Sequence, residues 1–276
     1  MVAFAACAQT PAFGPEGPEG SPARRQEWRV PTPDASTASH ALLFRPQGDG
    51  PFRVAVIAHA SVENEIQRAG MGQPEYMHLA LALVARGFAV LVPQRPGHGM
   101  TGGPYLEGQG GCDAPDYFRA AKVSGRAIST ALDFLRTQPF ARKQGAVIVG
   151  HSAGGFGALS LAQRDPREVA AIIAFAPGRG GHAHGRADEV CAPEKLIAAS
   201  KALGQSARVP VTWLVAENDS YFSPALSKRM ADAFRAGGGG LTFKVLPTFE
   251  REGHFLAEKA SETMLGSLIE QAIGKR

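Results

Sequence analysis

The chain has 276 residues, 44% hydrophobic and 20% charged, with 29 Lys+Arg against 25 Asp+Glu for a net charge of +4. That balance excludes disorder throughout, and a chain of this length can bury a core without a disulfide or metal to supply one. No run of about eighteen apolar residues occurs, which excludes a membrane-spanning helix, and the basic residues are scattered rather than blocked, which argues against a nucleic-acid partner.

Met1–Gln9 reads MVAFAACAQ. Ala6-Cys7-Ala8 has the small-x-small form of a signal-peptidase site, and Ala5-Ala6-Cys7 that of a lipoprotein box, in which Cys7 would carry a lipid anchor. Neither has a full apolar region ahead of it. The stretch reads as the truncated remnant of an export signal, the alternative being a small-residue disordered terminus. Residues 10–27 follow as a solvated Pro/Gly/Glu leader. The expected organisation is this leader over 1–27 and one domain over 28–276, in a periplasmic or secreted setting.

From residue 28 strands and helices alternate. Short strands are expected at Trp28–Val30 and His40–Arg45. The continuous apolar run Arg53–His59 suits a strand buried on both faces. Tyr76–Arg86 has helical spacing and stops at Gly87. A strand follows at Phe88–Pro93, a long helix at Ala114–Thr137, a strand at Ala146–Gly150 and a small-residue helix at Ala153–Arg164. Val169–Ala176 is the next strand. Residues 177–208 break the rhythm and leave room only for a minimal lid. Strands at Val209–Ala216 and Leu241–Leu246 and helices at Pro224–Ala236 and Leu256–Ile273 complete an α/β pattern, a mostly parallel eight-stranded sheet covered on both faces.

Gly150-His151-Ser152-Ala153-Gly154 is a G-x-S-x-G sequence between a strand and a helix. Such a turn needs small neighbours to hold a serine in a strained conformation with Oγ exposed at the sheet edge, beside a helix N-terminus that favours negative charge. A serine nucleophile needs a base and a group to orient that base. The acid should follow a later strand and the histidine the last one. Asp219 and His254 occupy those places, with Glu217 the rival acid at the end of its strand.

With these residues the chain resembles the α/β-hydrolase superfamily over residues 28 to 273. Within it the chain is similar to secreted bacterial dienelactone-hydrolase-like proteins, near the prolyl-oligopeptidase-like catalytic domains, through GHSAGGFGALSLA, FAPGRGGH, VCAPEKL, ENDSYFSPALSKRM and EGHFL. Dienelactone hydrolases proper use cysteine where Ser152 stands, so the resemblance implies hydrolysis of ordinary, small-molecule carboxylic esters without metal or organic cofactor. A prolyl-oligopeptidase-type peptidase and a non-catalytic binding protein of the same fold are the alternatives. The resemblance places the oxyanion hole at the N–H groups of Ala153 and Ser61, with Ala60 the other choice for the second. Arg95-Pro96-Gly97-His98-Gly99 resembles a structural turn lining the pocket. Cys112 and Cys191 read as a disulfide in an exported protein, or else as two unrelated thiols. His182, His184 and Asp188 invite a metal but lack a second compact ligand group, so they read as a polar loop. With His254 as the base, the activity limb is expected between roughly pH 6 and 7.5.

Overall fold

The computed structural model describes residues 13–274. Nine strands form one sheet: β1 (Gly14–Gly20), β2 (Arg25–Pro31), β3 (Ala38–Phe44), β4 (Arg53–Ala58), β5 (Phe88–Pro93), β6 (Ala146–His151), β7 (Val169–Phe175), β8 (Val211–Ala216) and β9 (Leu241–Leu246). Their spatial order is β1-β2-β3-β5-β4-β6-β7-β8-β9. β1, β2, β3 and β5 pair antiparallel in succession, while β5, β4, β6, β7, β8 and β9 run parallel.

All eight expected strands are present, and β1 is an addition. It lies within the stretch read from sequence as a solvated leader, and that reading is corrected: the sheet begins at Gly14, ahead of the boundary placed at residue 28. Gly and Pro carry no period-two signal, yet an edge strand needs hydrogen-bonding groups on one side only. Gly14 faces Arg29 and Glu16 faces Glu27 in the antiparallel register, and Glu16 meets the Arg29 guanidinium at 2.9 Å. The readings for Met1–Gln9, Cys7 included, lie outside the described residues.

Eight helices are described: α1 (Glu65–Ala69), α2 (Met77–Val84), α3 (Tyr117–Leu135), α4 (Ser152–Leu159), α5 (Pro193–Gly204), α6 (Pro224–Ala236), α7 (Leu256–Lys259) and α8 (Glu262–Ile273). The helix expected over Leu256–Ile273 is two pieces, because Ala260 is extended (φ −62°, ψ 152°) and Ser261 caps a new start by accepting the Met264 N–H. None of the described helices is long and apolar enough to cross a membrane.

Alternation along the central strands creates two cores. Val54, Val56 and Ala58 of β4 face a cluster shared with α3, α4, α5 and α6, while Ala55 and Ile57 face one shared with α2, α7 and α8. Each large aliphatic side chain removed from water there contributes about 1.5–3 kcal/mol. The sheet's order of strands turns back between β4 and β6, so loops leaving their carboxyl ends diverge and open a crevice, the usual place for a ligand in such sheets.

Cys112 and Cys191 are bonded, with Cα atoms 4.8 Å apart and a sequence separation of 79. The Tyr117 hydroxyl donates to the Cys191 carbonyl, and the Cys191 N–H donates to Gly180 at 2.9 Å. The bond therefore fastens residues 178–191 to the approach of α3. On the chain-entropy account, replacing both cysteines by serine is expected to lower unfolding stability by about 2–4 kcal/mol, checked by denaturant titration. Peptide mapping without reductant should recover the two as one linked species.

Candidate active site

β6 enters α4 through the turn predicted from sequence. Ser152 has φ +53°, the left-handed region that side-chain-bearing residues seldom occupy. The flanking glycines are required by contact. A Cβ on Gly154 would overlap the carbonyl oxygens of Ala58 and His59, and one on Gly150 would stand 2.6 Å from the Gly155 Cα. Ser152 is therefore held against the end of β4 while the first amides of α4, that of Ala153 among them, point outward without helical partners.

The loops after β8 and β9 meet beside it. The His254 Nδ1–H donates to Asp219 Oδ2 at 3.1 Å, and Asp219 Oδ1 accepts the N–H groups of Tyr221 (2.9 Å) and Phe222 (2.8 Å). Both side chains are buried. Glu217 is exposed and engages Thr248 at 3.3 Å, so of the two candidate acids only Asp219 meets the imidazole. Burial pushes His254 below its ordinary value of 6.5, outweighing the bond to Asp219 that raises it. Within the window of roughly pH 6–7.5 expected from sequence, burial thus favours the acid side.

Glu252 joins these two loops, a role the sequence did not announce. It accepts the N–H of His254 (2.9 Å) and of Ser220 (3.2 Å) and also the Ser220 hydroxyl. Burial raises its carboxyl, but these hydrogen bonds prevail and hold it below the usual range. Tyr221 stacks on the His254 ring at 4.2 Å and 20°, and its other face carries His182 at 3.6 Å and 11°. His182 Nε2 meets Ser220 Oγ at 2.8 Å, whereas His184 is exposed and lies 3.8 Å from Glu189.

The loop after β4 is fixed atom by atom. His59 Nε2 accepts the Arg95 N–H at 3.0 Å, so its Nδ1 carries the hydrogen given to the Ala60 carbonyl. The Ala60 N–H donates to the Tyr76 hydroxyl at 3.0 Å, which commits that amide. The Ser61 N–H has no such partner among the described residues. Ser61 Oγ meets His98 Nε2 at 2.8 Å. Burial lowers His98 to about 4, so near neutrality it gives Nδ1–H to the carbonyls of Arg95 and Pro96 and accepts the Ser61 proton. The Arg95–Gly99 turn thus supports the loop from beneath instead of lining the cleft as expected.

One buried carboxylate anchors this floor. Glu107 accepts two bonds from Arg95 (2.7 and 2.9 Å), one from Arg179 (2.8 Å) and one from Ser124 (2.8 Å). Burial alone would raise its carboxyl; the two guanidiniums hold it well below the usual range. Arg95 also reaches the His59 carbonyl at 2.7 Å.

Above the floor lies a cleft of about 620 Å³ whose walls include Ser61, Ser152, Ala153, Arg179, His182, Tyr221 and His254. Ser152, Ala153, Ser61 and His254 come together there, with Asp219 directly behind the histidine. No hydrogen bond joins Ser152 Oγ to His254 among the described residues, a contact that often tightens only with substrate bound.

A family model described as serine aminopeptidase, S33 (Hydrolase_4), matches residues 69–193, under half of the chain. No curated protein matches significantly. Among solved structures, an esterase of Pyrococcus furiosus, Pf2001, superposes with a TM-score of 0.60 at 14% identity, over 91% of this chain and 93% of that one. Est1E from Butyrivibrio proteoclasticus, solved with ferulic acid, gives 0.60 at 15% identity over 90% and 99%. A protein assigned as a dipeptidyl aminopeptidase IV from Bacteroides ovatus gives 0.64 at 14% identity, over 97% of this chain but 36% of its own. With this sheet order and these likenesses, the chain has the α/β-hydrolase fold.

Removing one partner from a buried ionic cluster leaves an uncompensated charge and costs about 3–5 kcal/mol. Arg179→Met is expected to show a loss of that size in urea titration, whereas Arg167→Gln, from an exposed pair with Asp165, should change stability by less than about 0.5 kcal/mol.

Proposed function

We propose that this protein is a serine hydrolase of carboxylic esters that works through an acyl-enzyme. The observation that carries this reading is Ser152, strained at a strand-to-helix turn and facing the same cleft as an imidazole already oriented by a buried carboxylate. His254 Nε2 takes the Ser152 proton as Oγ attacks the ester carbonyl. The Ala153 and Ser61 N–H groups receive the oxyanion. His254 returns the proton to the leaving alcohol, then takes one from water for deacylation. Asp219 fixes the tautomer by accepting from Nδ1 and stabilises the imidazolium. These groups account for every proton and developing charge, so the scheme calls on no metal or cofactor, and a chelator is expected to leave the rate unchanged.

The substrate is a small ester, in keeping with a cleft of about 620 Å³. The narrower affiliation, a dienelactone-hydrolase-like secreted enzyme, rests on the sequence resemblance, and the disulfide at the cleft wall supports an oxidising, periplasmic or secreted setting. The partial match to a serine-aminopeptidase model favours amide bonds as the second reading. A fluorophosphonate should label Ser152 in folded protein. Turnover of p-nitrophenyl esters should exceed that of aminoacyl p-nitroanilides; the reverse preference would favour the peptidase.

Asp219→Asn is expected to lower kcat by about 10⁴-fold, and Glu217→Gln to leave it near wild type. The pH profile of kcat/KM on a neutral ester follows from His254. The neutral form is the base, and burial lowers the folded-state value, so that form persists to lower pH than for a free imidazole. The rate should rise with pH through a limb below 6.5 and then level.

A further inference from the structure

Behind the reacting groups, away from Asp219, a second set of polar side chains meets at His151, the residue just before the serine. Its Nε2 faces the main-chain carbonyl of His254 at 2.8 Å. A carbonyl only accepts, so Nε2 carries a hydrogen. Its Nδ1 lies 3.0 Å from the Tyr76 hydroxyl and 3.2 Å from Glu258 Oε1, and that hydroxyl is itself 3.2 Å from Glu258 Oε1. The Tyr76 oxygen accepts the Ala60 N–H at 3.0 Å, leaving its own proton for Glu258 or for Nδ1. His151 and Tyr76 are buried, and Tyr76 holds an unfavourable φ of +47° at the start of α2 to place its ring there. Such strain persists only where the surroundings over-determine it.

We propose that His151, Tyr76 and Glu258 form a positioning unit for the ester hydrolysis: His151 sets the main chain of His254 against the turn that carries Ser152, Tyr76 holds the Ala60 N–H and with it the His59–Ala60 peptide, one residue ahead of the Ser61 N–H that serves as oxyanion donor, and Glu258 lies against both side chains. The contacts span 75, 103 and 182 residues of sequence, so no local preference accounts for them. They link the three segments whose relative placement the chemistry needs: the nucleophile's strand, the base's loop and the oxyanion loop. Glu258 borders the cleft that holds Ser152, but neither His151 nor Tyr76 does. Their loss should therefore act on the transition state, through misplaced groups, more than on substrate binding. The proposal rests on the acyl-enzyme reading.

The test uses the full chain with Tyr76→Phe, Glu258→Gln, His151→Gln, His151→Leu and the double variant Tyr76→Phe/His151→Gln. Sites are titrated with a fluorophosphonate, kcat per titrated site and KM are measured on one p-nitrophenyl ester, and Tm is recorded. Misplacement of about 1 Å can cost on the order of 10²-fold in rate, so Tyr76→Phe and His151→Leu should lose kcat per site on that scale with KM little changed. Glu258→Gln should show a smaller loss of the same kind. His151→Gln keeps an N–H for the His254 carbonyl and should recover part of what His151→Leu loses. The double variant should be no worse than its worse single, as for groups acting as one unit. Wild-type kcat per site in Tyr76→Phe and Glu258→Gln, with only Tm or the titrated fraction reduced, would overturn the proposal and leave a merely structural role. These two variants decide the matter even if His151→Leu does not fold. Failure of the wild type to label at Ser152 is a different result and would overturn the acyl-enzyme reading itself.

Discussion

Gly154 lies so close to the carbonyl oxygens of Ala58 and His59 that nothing larger than hydrogen fits between them. This approach is what brings β6 and α4 up to the end of β4, and the other features of the cleft follow from it. It sets Ser152 beside the oxyanion loop, and it obliges the turn to be tight enough that Ser152 takes a positive φ. Such a conformation costs about 1–3 kcal/mol. Every residue of α4 is buried, so the helix cannot relax the turn without giving up its packing.

Charge is placed with the same economy. Glu107 is the common acceptor for guanidiniums from the loops after β5 and β7, and through Arg95 it also reaches the loop after β4. A buried carboxylate is costly when alone and tolerable when each oxygen is bonded, as here. The consequence is that the loops around Ser61 and Arg179 share one fixed point. On the opposite side, Glu252 does for the acid and base loops what Glu107 does for the floor. Gly253 completes that junction, since a Cβ there would stand 2.6 Å from Ala216 Cβ and from Asn218 Oδ1.

How much of this was legible in the sequence follows from the range of the interactions. The continuous apolar runs of β4, β6 and β7 and the glycines around Ser152 are local signals, and they located the sheet and the turn correctly. Asp219 could be preferred to Glu217 by its place in the loop, and the structure places it against His254. β1 was missed because GPEGPEG has no alternation to read and forms only by pairing with β2. The short α1 was missed too, its one local cue being Asn64, which accepts the Gln67 N–H. The supporting groups at His151, Tyr76, Glu252 and Glu258 were invisible for a different reason. Their partners are distant along the chain, and a lone polar residue in a sequence does not say what it will meet.

The link between Cys112 and Cys191 encloses α3, β6, α4 and β7, hence the whole segment that bears Ser152, whereas Asp219 and His254 lie beyond it. Arg186 follows Gly185 of the cleft wall, and its side chain is 66% exposed. It sits inside that enclosure and offers a protease an accessible peptide. A nick there would produce two pieces that stay tethered at sulfur and share one sheet. The cleft wall could thus be cut open without either fragment diffusing away. In surroundings rich in proteases, damage at this loop would alter the mouth of the site and spare the molecule.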